Sequence, residues 1–363
     1  MAKKILIVFG TRPEIIKLAP LIHLIKNSEL RSQCLVVSTS QHDELLDQQL
    51  DFWEIKPDYF LTSCPFKKNL TRLLSHTING IQDVLDQEKD VEYIIVQGDT
   101  NTALACANLA FLNQLKLIHI EAGLRSYDLK NPFPEEFNRI VTTKAAYFHF
   151  APTELSKKNL IAEGIEETKI QVVGNTVIDA LNNTIHKTNS GKAERKTVLI
   201  TLHRRENIES NYIELIDVIE CLAKKYPELH FLWIAHPNSI SNISTKVSQN
   251  QNIEVCSHLP YDKFISLYNE SKIVITDSGG VTEEVIQLGI PVIVFRVSSE
   301  RTEPIELDYP MIISINKEEI LSHFDLFISI KPNRMFSYGN GKTSEVILKW
   351  LIDEIKLAQI HTI

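Results

Sequence analysis

Short runs that are apolar at nearly every position recur along this chain, and each is followed by a longer segment of helical period. The first half carries KILIVFG (4–10), CLVVST (34–39), YIIVQGD (93–99), LKLIHIE (115–121), YFHFAPT (147–153) and IQVVGN (170–175). The second half carries TVLITLH (197–203), HFLWIAH (230–236), IEVCSH (253–258), IVITDSGG (273–280) and PVIVFR (291–296). Runs of this kind suit strands buried on both faces, and their alternation with helices makes the sheets parallel. The pattern predicts an α/β protein with two parallel-sheet halves of similar size.

Between the halves, LNNTIHKTNSGKAERKT (181–197) is polar with isolated apolar residues, the pattern of a linker. Near the end, Leu348, Leu351, Ile352, Ile355 and Ala358 fall at helical spacing, with Ser344 as an N-cap and Glu345 in the first turn. At 363 residues the chain exceeds what one core usually fills, which also argues for two domains. Hydrophobic residues at 44% and charged residues at 23% exclude disorder, collagen and coiled coil. A net charge of -8 argues against a nucleic-acid binder, although a few local arginines suffice for a small anion. No run approaches the roughly 20 apolar residues of a membrane span, and MAKKILIVFG enters a strand directly, so a cytoplasmic protein is expected. Five scattered cysteines without a CxxC pair suggest reduced thiols.

Unusual polar clusters all follow the carboxyl ends of predicted strands: Gly10-Thr11-Arg12-Pro13-Glu14, Gln41-His42, Gly98-Asp99-Thr100 and Glu121-Ala122-Gly123. The second half repeats this with His203-Arg204-Arg205-Glu206, His236-Pro237-Asn238, Asp277-Ser278-Gly279-Gly280 and Arg296. Ligands of open parallel sheets bind at that edge, and two such edges facing each other would form an interdomain cleft. There is no G-x-G-x-x-G, and Gly341-Lys342-Thr343 lacks the earlier glycine of a P-loop because residue 336 is Phe. A nicotinamide enzyme or an NTPase is therefore disfavoured.

Ser278-Gly279-Gly280 reads as a tight turn into a helix through Leu288, whose first N–H groups suit a diphosphate, with Glu284 placed for ribose hydroxyls. A plain strand-to-helix turn is the competing reading. At His203-Arg204-Arg205 donor groups converge where an anion would sit, against a solvated charge run. Asp99 and Glu121 end adjacent strands, where burial and mutual repulsion would push their pKa values apart, as proton transfer requires. Glu135-Glu136 after Pro134 reads first as a helix start that complements the dipole, with Glu135 a further candidate acid or base. The twelve histidines show no metal-ligand spacing, so no metal is expected.

GTRPEIIKLAP (10–20), GDT (98–100), HIEAGLRS (119–126), FPEEFNR (133–139), HFAPTE (149–154), GNTVIDAL (174–181), HRREN (203–207), DSGGVTEE (277–284) and ER (300–301) occur in order. Together they resemble the bacterial non-hydrolysing UDP-N-acetylglucosamine 2-epimerases over nearly the whole chain. The resemblance implies a glycosyltransferase-B-like fold: a Rossmann-like domain over 1–175 completed by a helix at 345–363, and a second over 176–344. It implies a cofactor-free reaction in which UDP leaves C1 as C2 is deprotonated, then re-adds with a proton returned to the opposite face. It places Asp99, Glu121 and Glu135 at the proton transfers, and His203 and Arg12 at the diphosphate. Arg139, Ser278, Gly279, Gly280 and Glu284 are implied for UDP. Gln41, Glu44, Glu136, Arg204 and His236 match a site for a second, activating UDP-N-acetylglucosamine, and a homodimer is implied.

Some positions depart from the family pattern. Gln97 replaces a histidine, Thr282 and Val285-Ile286 replace the usual Gln and Ala-Pro, Thr302 replaces a proline, and Lys68-Asn69 stand for an Arg-Gln pair. A modified UDP-hexosamine therefore stays open as substrate. So do a hydrolysing epimerase, whose relatives read GTRAD where this chain has GTRPE, a glycosyltransferase of the same architecture, and a non-catalytic sugar-nucleotide sensor.

Overall fold

The structure, a computed structural model, describes residues 4–39, 44–62, 64–65, 69–185, 195–202, 212–235, 240–247, 249–257, 259–330, 333–335 and 337–360. The chain divides into two compact units, Met1–Ala180 with Tyr338–Ile363, and Leu181–Ser337.

The first unit runs β1 (Lys4–Phe9), α1 (Arg12–Lys26), β2 (Cys34–Ser38), α2 (Glu44–Phe52), β3 (Tyr59–Phe60), α3 (Leu70–Gln87), β4 (Val91–Gln97) and α4 (Asn101–Leu112). It continues β5 (Lys116–Ile120), α5 (Glu135–Ala145), β6 (Ala146–Ala151), α6 (Glu154–Ala162), β7 (Ile170–Val172) and α7 (Thr176–Ile185), in which the chain passes to the second unit. There follow β8 (Thr197–Thr201), α8 (Tyr212–Lys225), β9 (His230–Ile234), α9 (Ile240–Val247), β10 (Ile253–Cys256), α10 (Tyr261–Leu267) and β11 (Ser271–Thr276). The second unit ends with α11 (Gly279–Gln287), β12 (Val292–Val294), α12 (Glu303–Glu306), β13 (Met311–Ile313) and α13 (Lys317–Phe327), and α14 (Thr343–Ile360) returns to the first.

The sheets have strand orders β3-β2-β1-β4-β5-β6-β7 and β10-β9-β8-β11-β12-β13, and every pairing is parallel. All eleven apolar runs are strands. The two short edge strands β3 and β13 escape the pattern because two or three residues are too few to show a period. Leu6 and Val8 of β1 pack with Ile94 and Val96 of β4 and with Val84, Leu109 and Leu117 on one face, and the alternate residues Ile5, Ile7 and Phe9 are fully buried too, which accounts for strands apolar on both faces. In the second unit Phe231, Trp233, Ile275 and Ile293 join Phe324 of α13.

Helix α14 docks through Trp350, whose ring lies 4.2 Å from that of Phe148 and 5.4 Å from that of Phe150, and through a Glu354–Lys116 ion pair at 3.1 Å. Its buried line is Ile347, Leu351 and Ile355, with Leu348 and Ile352 only half-buried, so the stripe is rotated from the expected one. Ser344 is not the N-cap: it lies in the first turn, and the Asp179 carboxylate of α7 accepts from the N–H of Thr343 at 3.2 Å and of Ser344 at 2.7 Å. Sequence spacing shows only local caps, and this acceptor comes from 164 residues away.

Asp179→Ala strands two buried N–H groups at a cost of about 2 kcal/mol. The α14 amides should then exchange with solvent roughly 30-fold faster, and unchanged protection would refute this account of the cap.

Candidate active site

Strands β1 and β4 are neighbours although their connections leave in opposite directions, so the crevice at their carboxyl ends is the switch point of the first sheet. Two turns flank it. After β1, a Cβ on Gly10 would lie 2.3 Å from Thr39 Oγ1 and 2.4 Å from Thr102 Oγ1, so only glycine fits. Arg12 opens α1 half-buried, with Pro13 in the first turn, where its missing N–H costs nothing. After β4, Gly98 takes φ +73°, and the Thr100 side chain caps α4 by accepting from Ala103 N–H at 3.1 Å.

Asp99 is held from several sides. Arg139 donates to its carboxylate at 2.6 Å, Asn138 donates to its carbonyl at 2.9 Å, and His119 Nε2 lies 2.8 Å from Gly98 O. Burial drives the His119 pKa down to about 3, so the ring is neutral and its Nε2 carries the proton toward that carbonyl.

Glu121 follows the adjacent strand β5 and takes φ +67°, uncommon without glycine. Lys17 of α1 forms an ion pair with Glu121 Oε2, and Asn175 donates to the same oxygen at 2.7 Å. Glu121 Oε1 lies 3.8 Å from where a Cβ on Gly98 would stand, so the two carboxylate-bearing turns are neighbours. Each acid thus has its own cation, Asp99 with Arg139 and Glu121 with Lys17, in place of the unshielded mutual repulsion that the sequence suggested.

Glu135 is the first, half-buried residue of α5. Glu136, expected at an activator site, is fully buried, accepting from Ser126 N–H at 3.1 Å, Tyr127 N–H at 3.0 Å and Arg139 at 3.1 Å. These bonds make it a clamp on the 126–127 turn. Arg139, expected at UDP, bridges Asp99 and Glu136 and belongs with the carboxylates.

In the second sheet β8 and β11 are the neighbours at the switch point. Ser278 caps α11 by accepting from Val281 N–H. A Cβ on Gly279 would lie 2.4 Å from the Arg301 guanidinium carbon, so this helix start rests directly on a buried cation. Arg301 pairs with Glu283 and Glu300, and Glu300 also pairs with Arg296 at 2.9 Å. Glu284 is buried and accepts from Tyr261 at 2.7 Å and Tyr268 at 2.6 Å. Gln41, His203, Arg204 and His236 lie outside the described residues, as does the side chain of Glu44.

Glu14, Lys17, Asn138 and Asn175 received no role from sequence. Glu14 and Lys17 carried a signal, charges set among the apolar residues of α1, because charges seldom sit on a buried face unpaired. The asparagines carried none, since their partners come from other elements.

Two Rossmann-like parallel-sheet units, one with paired acids at its switch point and one with a capped helix start over a buried arginine, define a glycosyltransferase-B-like nucleotide-sugar class. A family model described as UDP-N-acetylglucosamine 2-epimerase matches residues 25–352, and the chain belongs to that family of isomerases. It is 35% identical to the UDP-N-acetylglucosamine 2-epimerase of Campylobacter jejuni, over 97% of this chain and 98% of that one. Among solved structures it is similar to the Neisseria meningitidis UDP-GlcNAc 2-epimerase bound to UDP-GlcNAc, with 36% identity, a TM-score of 0.90, and coverage of 96% of this chain and 100% of that one. The Methanocaldococcus jannaschii UDP-GlcNAc 2-epimerase in complex with UDP-GlcNAc and UDP aligns at 32% identity with a TM-score of 0.86, over 96% of this chain and 99% of that one.

Lys17→Met leaves Glu121 buried without its cation and should destabilise the first unit by about 3–5 kcal/mol, much of it restored by adding Glu121→Gln. Unfolding midpoints that are additive across the two changes would remove the pair from the account.

Burial pushes the Glu14 carboxyl up to about 7, against hydrogen bonds from Thr11, Thr100 and Gly10 that pull it down. The native value lies above the ordinary 4.5, so the stability tied to this group is complete below pH 4.5 and lost as pH rises through 7. That loss is about 3 kcal/mol and should be absent in Glu14→Gln, as unfolding midpoints across that window will test.

Proposed function

We propose that this chain interconverts UDP-N-acetylglucosamine and UDP-N-acetylmannosamine without net hydrolysis. The observation that carries the reading is the pair of neighbouring acids, Asp99 and Glu121, each fixed beside its own cation at the switch point of the first sheet. Inverting C2 through elimination needs a group that accepts the C2 proton on one face and a group that returns one on the other. Asp99, Glu121 and Glu135 fill these roles, with Lys17 holding Glu121 and Arg139 holding Asp99 in place.

In the forward half-reaction the C2–H pair becomes the C1–C2 double bond of 2-acetamidoglucal, the C1–O bond breaks, and UDP departs with that electron pair. UDP oxygen then re-attacks C1 while C2 takes a proton on the opposite face. The departing diphosphate gains negative charge, and the N–H groups at the start of α11 are the kind of donor that stabilises it. Glu284, which accepts from Tyr261 and Tyr268, is a carboxylate acceptor of the kind a ribose hydroxyl requires. The proposal does not extend to a second, activating nucleotide sugar, because Glu136 is committed to the turn at 126–127.

Incubation with UDP-N-acetylglucosamine in D₂O, followed by NMR, should give UDP-N-acetylmannosamine with deuterium at C2. Free N-acetylmannosamine plus UDP would instead assign hydrolysis, and no change would point to a different UDP-sugar. Glu121→Gln should lower turnover by at least about 100-fold while UDP still binds. Unchanged turnover would take Glu121 out of the proton path.

A further inference from the structure

Glu14 has no part in the chemistry above, yet its carboxylate touches both turns that flank the first unit's crevice. It is 1% exposed. From the turn after β1, Gly10 N–H donates to Oε2 at 3.0 Å and Thr11 Oγ1 donates to the same oxygen at 2.7 Å. From the turn after β4, Thr100 Oγ1 donates to Oε1 at 2.7 Å. One oxygen therefore serves each turn. The first of these turns leads into Arg12, and the second contains Asp99.

A local helix cap needs only a serine or threonine oxygen, as Thr100 itself shows at α4. Burying a whole carboxylate is a costly way to satisfy one turn, and it is explained if the group must span two. Asp99 is already restrained from the side of α5 by Arg139 and Asn138, and Glu14 supplies the restraint from the side of α1.

We propose that Glu14 is a positioning residue for the epimerisation, holding Arg12 and Asp99 in one fixed relation by tying their turns together through Gly10, Thr11 and Thr100. The inference rests on the function proposed above, so the C2 exchange of the unaltered protein is measured first. Glu14→Gln keeps the size of the side chain but puts an amide donor against hydroxyls that now donate to it. Misplacing a reacting group by about 1 Å costs on the order of 100-fold, and at about pH 8.5, where the Glu14 carboxyl is ionised, kcat should fall by that order while KM stays within about threefold. Thr100→Ser, which keeps the hydroxyl, should retain kcat; Thr100→Val should lose it; and adding Glu14→Gln to Thr100→Val should bring little further loss.

A folded Glu14→Gln with wild-type kcat, a loss confined to KM, or losses that multiply in the double variant would each overturn the proposal. If Glu14→Gln fails to fold, the contrast between Thr100→Ser and Thr100→Val decides it. Absence of exchange in the unaltered protein would instead bring down the functional reading, and this inference with it.

Discussion

Parallel pairing is the constraint on which everything else in this molecule rests. A parallel strand must be followed by a crossover, so helices cover both faces of each sheet and every strand ends at the same edge. The strands are thereby forced to be apolar throughout, and polar side chains find room only where the strands stop. The reversal of strand order between β1 and β4, and again between β8 and β11, opens that edge at one point in each sheet. Asp99 and the Arg12 turn reach the first opening, with Glu121 on the adjoining strand end, and the Ser278-Gly279-Gly280 helix start reaches the second.

Charges gathered at a half-buried edge require compensation, and the compensation is local in each case. Lys17 answers Glu121, Arg139 answers both Asp99 and Glu136, and Arg301 answers Glu283 and Glu300. Such pairs give little net stability, because desolvation offsets most of the attraction. Their value lies in geometry: a carboxylate bonded to a buried lysine or arginine has one orientation. In the proposed reaction, which moves a proton to and from carbon, fixed orientation matters more than the strength of any acid.

The core of this organisation was readable from residue order alone, because a strand apolar at every position declares burial on both faces. The polar residues that follow such strands were equally visible, and Asp99, Glu121 and Ser278 stand where that reasoning put them, at the strand ends. What could not be read was partnership across sequence. Asp179 capping a helix 164 residues later, Asn175 reaching Glu121, and Glu136 clamping the turn at 126–127 all depend on which elements pack together. Arg139 was placed at UDP by the resemblance alone; the fold pairs it with Asp99 and Glu136 from within the first unit. Lys17 and Glu14 were legible as anomalies, since an apolar helix does not carry buried charges without partners.

Glu121 gathers these considerations into one residue. Its left-handed backbone, at φ +67°, costs of order 1 kcal/mol for a side chain that is not glycine, and it persists only if the surroundings over-determine it. They do so on both sides: Ile120 O accepts from Gly98 N–H at 2.9 Å, and Ala122 N–H donates to Phe150 O at 3.0 Å. The chain is thus anchored in the sheet immediately before and immediately after the strained residue, while Lys17 and Asn175 hold its carboxylate. An unstrained residue 121 would continue the strand, and its side chain would follow the alternation into one of the helical layers. The left-handed turn instead brings the carboxylate alongside Gly98, next to Asp99. The strain is therefore what allows two acids from adjacent parallel strands to stand together at a single opening of the sheet.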